Sequence, residues 1–270
     1  MSFKDELKGI IPAEELHRLP NRFDIIGDIA VVSVPDEMKI YNEDIARIIM
    51  GMMQNIRTVL NKVSKLEGNK RVADFEIIAG NSTETVHREF GLSYRIDLKN
   101  SFFNGRLSYE RKRIASLVKA GEDVLVPFSG VGPFAIPAAA AGAKIVAVEM
   151  NGNACKSFTK NCKLNKVEKN VHIINADANC IPNMLNMEFD RAIIPTPYGM
   201  DHFLESISSL VRTGGYVHFY TFKPKEEIPE LIEKYEGMGF EVEFYRRCGN
   251  VAPGISRWVF DLRKRDILFR

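Results

Sequence analysis

The chain has 270 residues, enough for one large domain or two modest ones. Hydrophobic residues make up 45% and charged residues 27%, the balance of a globular protein, and no apolar run approaches the length of a membrane span. Lys and Arg number 37 against 35 Asp and Glu, a net charge of +2, so overall charge says little about nucleic acid, and only a local basic face would.

Residues 1–20 read as a short helical lead-in punctuated by Pro12 and Pro20; they are charged, lack an apolar core and do not form a signal peptide. From Phe23 the pattern turns strand-like, with Gly27-Asp28 as a hairpin turn. Tyr41 to Met53 is apolar at helical spacing. Strands follow over Thr58–Val63 and Asp74–Ala79, and a hairpin is expected around Gly91. Residues 21–97 therefore form a small α+β domain, and 98–270 a second domain. Lys62, Lys65, Lys70 and Arg71 give the first domain a basic segment, either a solvated face or a contact for phosphates.

In the second domain Ser108–Lys119 reads as a helix, and strands then alternate with helices to the end. That alternation predicts a mostly parallel, doubly wound sheet with an antiparallel edge at its end. Within it, Gly214-Gly215 is read as a turn ahead of a strand over Tyr216–Phe222, and a helix is expected over His202–Val211. The last strands are placed at Glu241–Arg246 and Ser256–Leu262. Cys155, Cys162, Cys180 and Cys248 form no C-x-x-C pair, so no metal site is expected and reduced thiols fit a cytoplasmic chain.

The run Val-Leu-Val-Pro-Phe128-Ser-Gly130-Val-Gly132-Pro-Phe organises this domain. A buried strand, two glycines and a small-residue helix make a backbone cradle for a nucleotide-like ligand. The next strand, Lys-Ile-Val-Ala-Val-Glu149, ends on a carboxylate able to accept hydrogen bonds from ribose hydroxyls. The third glycine of a dinucleotide fingerprint is missing, and no P-loop Lys follows. A ligand with a ribose but no pyrophosphate fits better, S-adenosylmethionine (SAM) among them. The other reading is an ordinary βαβ unit whose glycines only make a turn.

Asp177 lies just past the third strand, as a ligand contact or a turn cap. Pro195-Thr-Pro197-Tyr198 ends the fourth strand; it resembles the tetrapeptide with which amino methyltransferases hold a planar nitrogen, or it is a plain turn. Arg106 and Glu110, four apart, give either an exposed helical ion pair or a carboxylate held by an arginine as a general base.

Several ordered stretches resemble the archaeal and eukaryotic tRNA (guanine-37-N1)-methyltransferases, SAM-dependent enzymes with a Rossmann-like class I methyltransferase domain. They are Leu-Pro-Asn-Arg-Phe-Asp-Ile-Ile-Gly-Asp, Phe-Glu-Ile-Ile-Ala-Gly80, Phe-Phe-Asn-Gly-Arg106-Leu-Ser-Tyr-Glu110-Arg111, Phe-Ser-Gly-Val-Gly-Pro-Phe134 and Lys-Leu-Asn165-Lys-Val. The related wybutosine enzymes transfer an aminocarboxypropyl group from the same cofactor. Gly-Val-Gly-Pro-Phe, Arg106 and His218-Phe-Tyr-Thr221 resemble the methyltransferases more.

The resemblance implies that Glu110 is the general base for N1 of guanosine 37, that Arg106 positions it, and that Arg71 stabilises charge on guanine O6. It implies a cofactor site from Arg111, Phe128, Gly130, Gly132, Glu149, Asp177, Ala178 and Pro195. It implies target-base contacts from Phe102, Asn104, Pro197 and Tyr198. The family Asn of the fourth strand end is replaced here by Pro195, which bears on substrate choice. The small domain is expected to bind the tRNA anticodon loop, an extra N-terminal domain that inspects the tRNA elbow is expected to be absent, and the enzyme is expected to be a metal-free cytoplasmic monomer. The alternatives are aminocarboxypropyl transfer to a wyosine precursor at position 37, or tRNA binding without activity.

Overall fold

A computed structural model describes residues 3–64 and 73–266. The chain divides into two compact units, Met1–Gly105 and Arg106–Arg270.

The first unit holds a four-stranded sheet in the order β1-β2-β3-β4: β1 is Asp24–Ile26, β2 Ile29–Val32, β3 Thr58–Lys62 and β4 Phe75–Ala79. The β1–β2 turn is Gly27-Asp28, where Ile26 faces Ile29. Gly27 has φ +60°, and a Cβ there would lie 2.0 Å from the Thr85 hydroxyl, so only glycine fits. A separate hairpin follows, β5 (Glu84–Glu89) and β6 (Leu92–Asp97), closed by Phe90 at φ +48° and Gly91 at φ +81°. Both turn residues lie in the left-handed region, as a two-residue hairpin turn requires. The helix over Asn42–Met52 presents Ile45, Ala46 and Ile49 to the core, at the spacing of one helical face.

Phe3, Leu7, Ile11, Leu16 and Leu19 are buried in the same core. The segment read as a lead-in is thus part of the first unit. The unit also extends through Gly105, past the boundary expected at residue 97.

The described residues of the second unit form a seven-stranded sheet in the order β12-β13-β11-β10-β7-β8-β9. Its strands are β7 (Asp123–Pro127), β8 (Lys144–Glu149), β9 (Val171–Asn175), β10 (Phe189–Ile194), β11 (Val211–Lys223), β12 (Phe240–Ala252) and β13 (Ile255–Lys264). The first five pair in parallel; β13 pairs antiparallel with both β11 and β12. The helices that matter for the site are α4 (Ser108–Leu117), α5 (Ala135–Ala140), α6 (Gly152–Leu164), α8 (Phe203–Ser208) and α9 (Ile228–Gly237), numbered after the four-residue turns α1 (Phe3–Glu6) and α2 (Ala13–Leu16), the Asn42–Met52 helix α3, and before α8 the turn α7 (Ile181–Met184).

Three elements differ from the sequence pattern. The helix before β11 is only six residues long, because Val211 already pairs with Phe189 in the sheet. Gly214-Gly215 is an irregularity inside β11 rather than a turn before it: between the pairs Phe189–Val211 and Arg191–Tyr216, one residue of β10 faces four of β11. A Cβ on Gly215 would lie 2.7 Å from Val211 and 2.8 Å from the Asp190 carbonyl, which fixes glycine at that bulge. The final hairpin is also longer than its apolar stretches, since pairing continues to Ala252 and Ile255 through polar residues.

The main apolar core of this unit lies on one face of the sheet. Phe219, Phe260, Leu262, Ala192 and Ile194 pack there with Phe203, Ile207, Leu231 and Tyr235 of α8 and α9. No helix among the described residues is long and apolar enough to cross a membrane.

Candidate active site

Chain order reverses direction between β7 and β10: β8 and β9 lie on one side of β7, β10 and β11 on the other. Connections leaving the carboxyl ends of these two strands run to opposite sides of the sheet, and in an open α/β sheet such a switch point is the usual ligand position. Topology brings Phe128, Gly130, Gly132, Glu149, Asp177, Ala178, Pro195, Pro197 and Tyr198 to this one edge.

Directly after β7 the backbone is unusual. Phe128 has φ +53°, Gly130 φ +53° and Gly132 φ +91°. Left-handed geometry at a phenylalanine costs energy and recurs at functional sites. A Cβ on Gly132 would lie 2.3 Å from the ring of Phe158 on α6, so that glycine is needed for packing. The amide of Gly130 donates to Glu149 Oε2 at 2.8 Å, and the amide of Asn151 to Oε1 at 2.7 Å. Burial pushes the Glu149 carboxyl above its usual range, against the pull of these backbone amides. Each oxygen keeps acceptor capacity for a further donor. A mostly buried carboxylate with spare lone pairs, a glycine loop that bares its backbone, and the half-buried ring of Phe128 fit a ligand with vicinal hydroxyls and an aromatic base.

Asp177 accepts from the Asn179 amide at 2.9 Å and caps the short turn that follows, while Ala178 is buried in the apolar core. After β10, Thr196 is buried, and Tyr198 is exposed with its ring 5.3 Å from that of Phe222.

On α4, Glu110 is 2% exposed, a costly place for a carboxylate without partners. Arg113 Nε donates to Oε2 at 3.0 Å, and the Tyr220 hydroxyl donates to the same oxygen at 3.2 Å. Arg246 Nη2 lies 3.0 Å from Oε1, within ion-pair distance. Oε1 nonetheless accepts no hydrogen bond among the described residues. The ring of Tyr220 packs 5.2 Å from Phe134, the residue that closes the glycine loop. One tyrosine therefore separates the carboxylate from the cradle.

The partners of Glu110 are Arg113, Arg246 and Tyr220, whereas the sequence reading placed Arg106 beside it. Arg106 is exposed in the single 3-10 turn ahead of α4. Arg111 is buried, at 2%. Phe102 and Asn104 belong to the first unit, with Phe102 exposed. Arg71 lies outside the described residues. Arg113 stands three residues from Glu110, a helical spacing visible in the sequence; Arg246 is 136 residues away and leaves no local sign.

The TRM5/TYW2 methyltransferase domain family matches residues 85–243, and the TYW2 N-terminal domain family matches residues 3–83. The tRNA (guanine(37)-N(1))-methyltransferase Trm5b of Pyrococcus abyssi is 36% identical over 262 residues, 94% of this chain and 78% of that protein. The tRNA(Phe) (4-demethylwyosine(37)-C(7)) aminocarboxypropyltransferase of Pyrococcus horikoshii is 30% identical over 268 residues, 96% of this chain and 95% of that one. The crystal structure of Methanocaldococcus jannaschii Trm5 in complex with adenosine superposes with a TM-score of 0.84 at 26% identity, covering 98% of this chain and 79% of that chain. With more than half its length matched by one domain family, and a glycine loop and acidic strand end suited to a nucleoside, the chain belongs to the TRM5/TYW2 methyltransferase family.

Proposed function

We propose that the chain transfers the methyl group of SAM to N1 of guanosine 37 in the tRNA anticodon loop. The observation that carries the chemistry is Glu110: a buried carboxylate held on Oε2 and left without a hydrogen bond on Oε1. N1 of guanine is a poor nucleophile while protonated, so the reaction needs a base at a fixed position. When bound, SAM supplies an electrophilic methyl group on a sulfonium.

Glu149 and the Gly130–Gly132 loop hold the ribose side of the cofactor, with Phe128 and Ala178 as apolar walls. Arg111, Asp177 and Pro195 complete that site. Oε1 of Glu110 accepts the N1 proton from a base turned out of its stack. Pro197 and Tyr198 flank that base, and the roles of Arg71, Arg106, Phe102 and Asn104 follow from family resemblance. Action as a cytoplasmic monomer belongs to the same reading.

Two observations favour aminocarboxypropyl transfer as a second reading: the N-terminal match is to the TYW2 domain, and the P. horikoshii enzyme is covered almost end to end. The higher identity to the methyltransferase outweighs them. Mass analysis of nucleoside 37 after incubation with SAM separates the two. Glu110→Gln is expected to keep SAM affinity, measured by calorimetry, and to lower methyl transfer by at least about 100-fold. Unchanged turnover removes Glu110 from the mechanism.

A further inference from the structure

Behind Glu110 a continuous series of charged groups and one imidazole crosses the α4 face of the sheet. Glu122 holds Arg191 through two contacts, at 2.9 and 3.0 Å. Arg191 Nη1 lies 2.6 Å from His218 Nε2, and His218 Nδ1 lies 2.6 Å from Asp261 Oδ1. Asp261 takes Arg113 with both oxygens, at 2.5 and 3.1 Å, and Arg113 Nε then reaches Glu110 Oε2 at 3.0 Å. His218 is 1% exposed and Asp261 5%, so water does not substitute for these contacts.

Donor and acceptor roles fix the state of the imidazole. A guanidinium only donates, so Nε2 must present its lone pair to Arg191. The single proton of a neutral ring then sits on Nδ1 and is donated to Asp261. A planar guanidinium gripped at both Nη atoms has the direction of its Nε–H set. That bond, with the Tyr220 hydroxyl, occupies Oε2, while Oε1 faces Arg246 Nη2 at 3.0 Å and accepts no hydrogen bond among the described residues.

We propose that His218 is a positioning residue for proton removal by Glu110: the neutral ring orients Asp261, Asp261 fixes Arg113, and Arg113 holds Oε2 so that Oε1 receives the proton. The inference rests on Glu110 being the base. It also makes turnover pH-sensitive at a second place. The charged groups facing His218 are Arg191 from β10, Asp261 from β13 and Arg113 from α4, two cations against one anion. Protonating Nε2 would set donor against donor and cation against cation at the Arg191 contact. Burial, aided by both arginines, holds the ring below its ordinary value of 6.5 against the pull of Asp261.

The test is steady-state methyl transfer from labelled SAM to a G37 transcript, with KM for both substrates, between pH 5 and 8. His218→Phe, which loses both contacts, is expected to lower kcat about 10–100-fold with both KM values within about twofold. His218→Asn keeps an N–H toward Asp261, and is expected to recover kcat to within about fivefold of native with a shallower acid limb than native. Glu110→Gln runs alongside: full activity there overturns the base, whereas an inactive Glu110→Gln beside a His218→Phe of native kcat overturns only the relay. A fall in kcat, SAM affinity and melting temperature together, without rescue by Asn, also overturns it by showing a structural role. Should His218→Phe not fold, the Asn variant decides alone, since an acid limb identical to native excludes His218.

Discussion

The two faces of the second unit's sheet are built on opposite rules. On the face toward α8 and α9, β10, β11 and β13 contribute Ala192, Ile194, Phe219, Phe260 and Leu262, a packed apolar layer. On the face toward α4, the same three strands contribute Arg191, His218, Tyr220 and Asp261, one residue out of step. Apolar burial is tolerant: shape and volume matter, and neighbours relax around a change. A buried ionic series is intolerant, because each member satisfies the next and one loss strands a charge. The apolar face holds the sheet together; the ionic face fixes orientation at the carboxylate proposed as the base.

That contrast breaks most visibly at Arg191. Arg191→Met strands Glu122 and leaves His218 Nε2 without a donor, with an expected loss of about 3–5 kcal/mol. The lone tryptophan, Trp258 on β13, reports denaturation of this sheet by fluorescence. A loss under 1 kcal/mol would mean the ionic face is as forgiving as the apolar one. On the other face, Ile207→Ala on α8 is expected to cost about 2–4 kcal/mol with no change in the pH dependence of stability.

Acid sharpens the comparison. His218 is depressed chiefly by burial, so below about pH 6.5 the unfolded chain binds a proton that the native one refuses. Asp261 is held down to about 2 by His218 and Arg113, against burial that would raise it. Between its ordinary value of 3.8 and about 2, the unfolded state again binds more protons. Stability is therefore expected to fall with pH in two windows, by at most about 1.4 kcal/mol per unit for each group. A flat denaturation midpoint from pH 7 to 5 would remove His218 from the first window. The smallest effect lies in the first unit: Phe90→Asn, at a left-handed turn position, is expected to stabilise by about 0.5–1 kcal/mol in thermal unfolding.

What the sequence made readable was local. Gly27 and Gly91 announced their turns, the glycine loop announced the cradle, and Glu149 stood out as an acid ending an apolar strand. The roles given to Arg71, Arg106, Phe102 and Asn104 rest on resemblance alone. Two partners of Glu110, Tyr220 and Arg246, were hidden because they come from strands more than 100 residues along the chain, whereas Arg113, three residues on, stood at a readable helical spacing. A trace was present: Asp261 in Trp-Val-Phe-Asp-Leu and Arg191 in Phe-Asp-Arg-Ala-Ile-Ile are charges inside buried strands, and such charges need partners. The bulge at Gly214-Gly215 was misread because two glycines signal a turn and a strand irregularity equally well.

That bulge sets the phase of everything downstream on β11. It adds three residues, an odd number, to one strand against its neighbour. In a structure of period two, an odd insertion exchanges the sides on which alternate residues emerge. Without it, Val217 and Phe219 would point toward α4, and His218 and Tyr220 would be driven into the oily side. A single-residue deletion among 212–215 would thus invert a whole strand, and a two-residue deletion would leave its polarity intact.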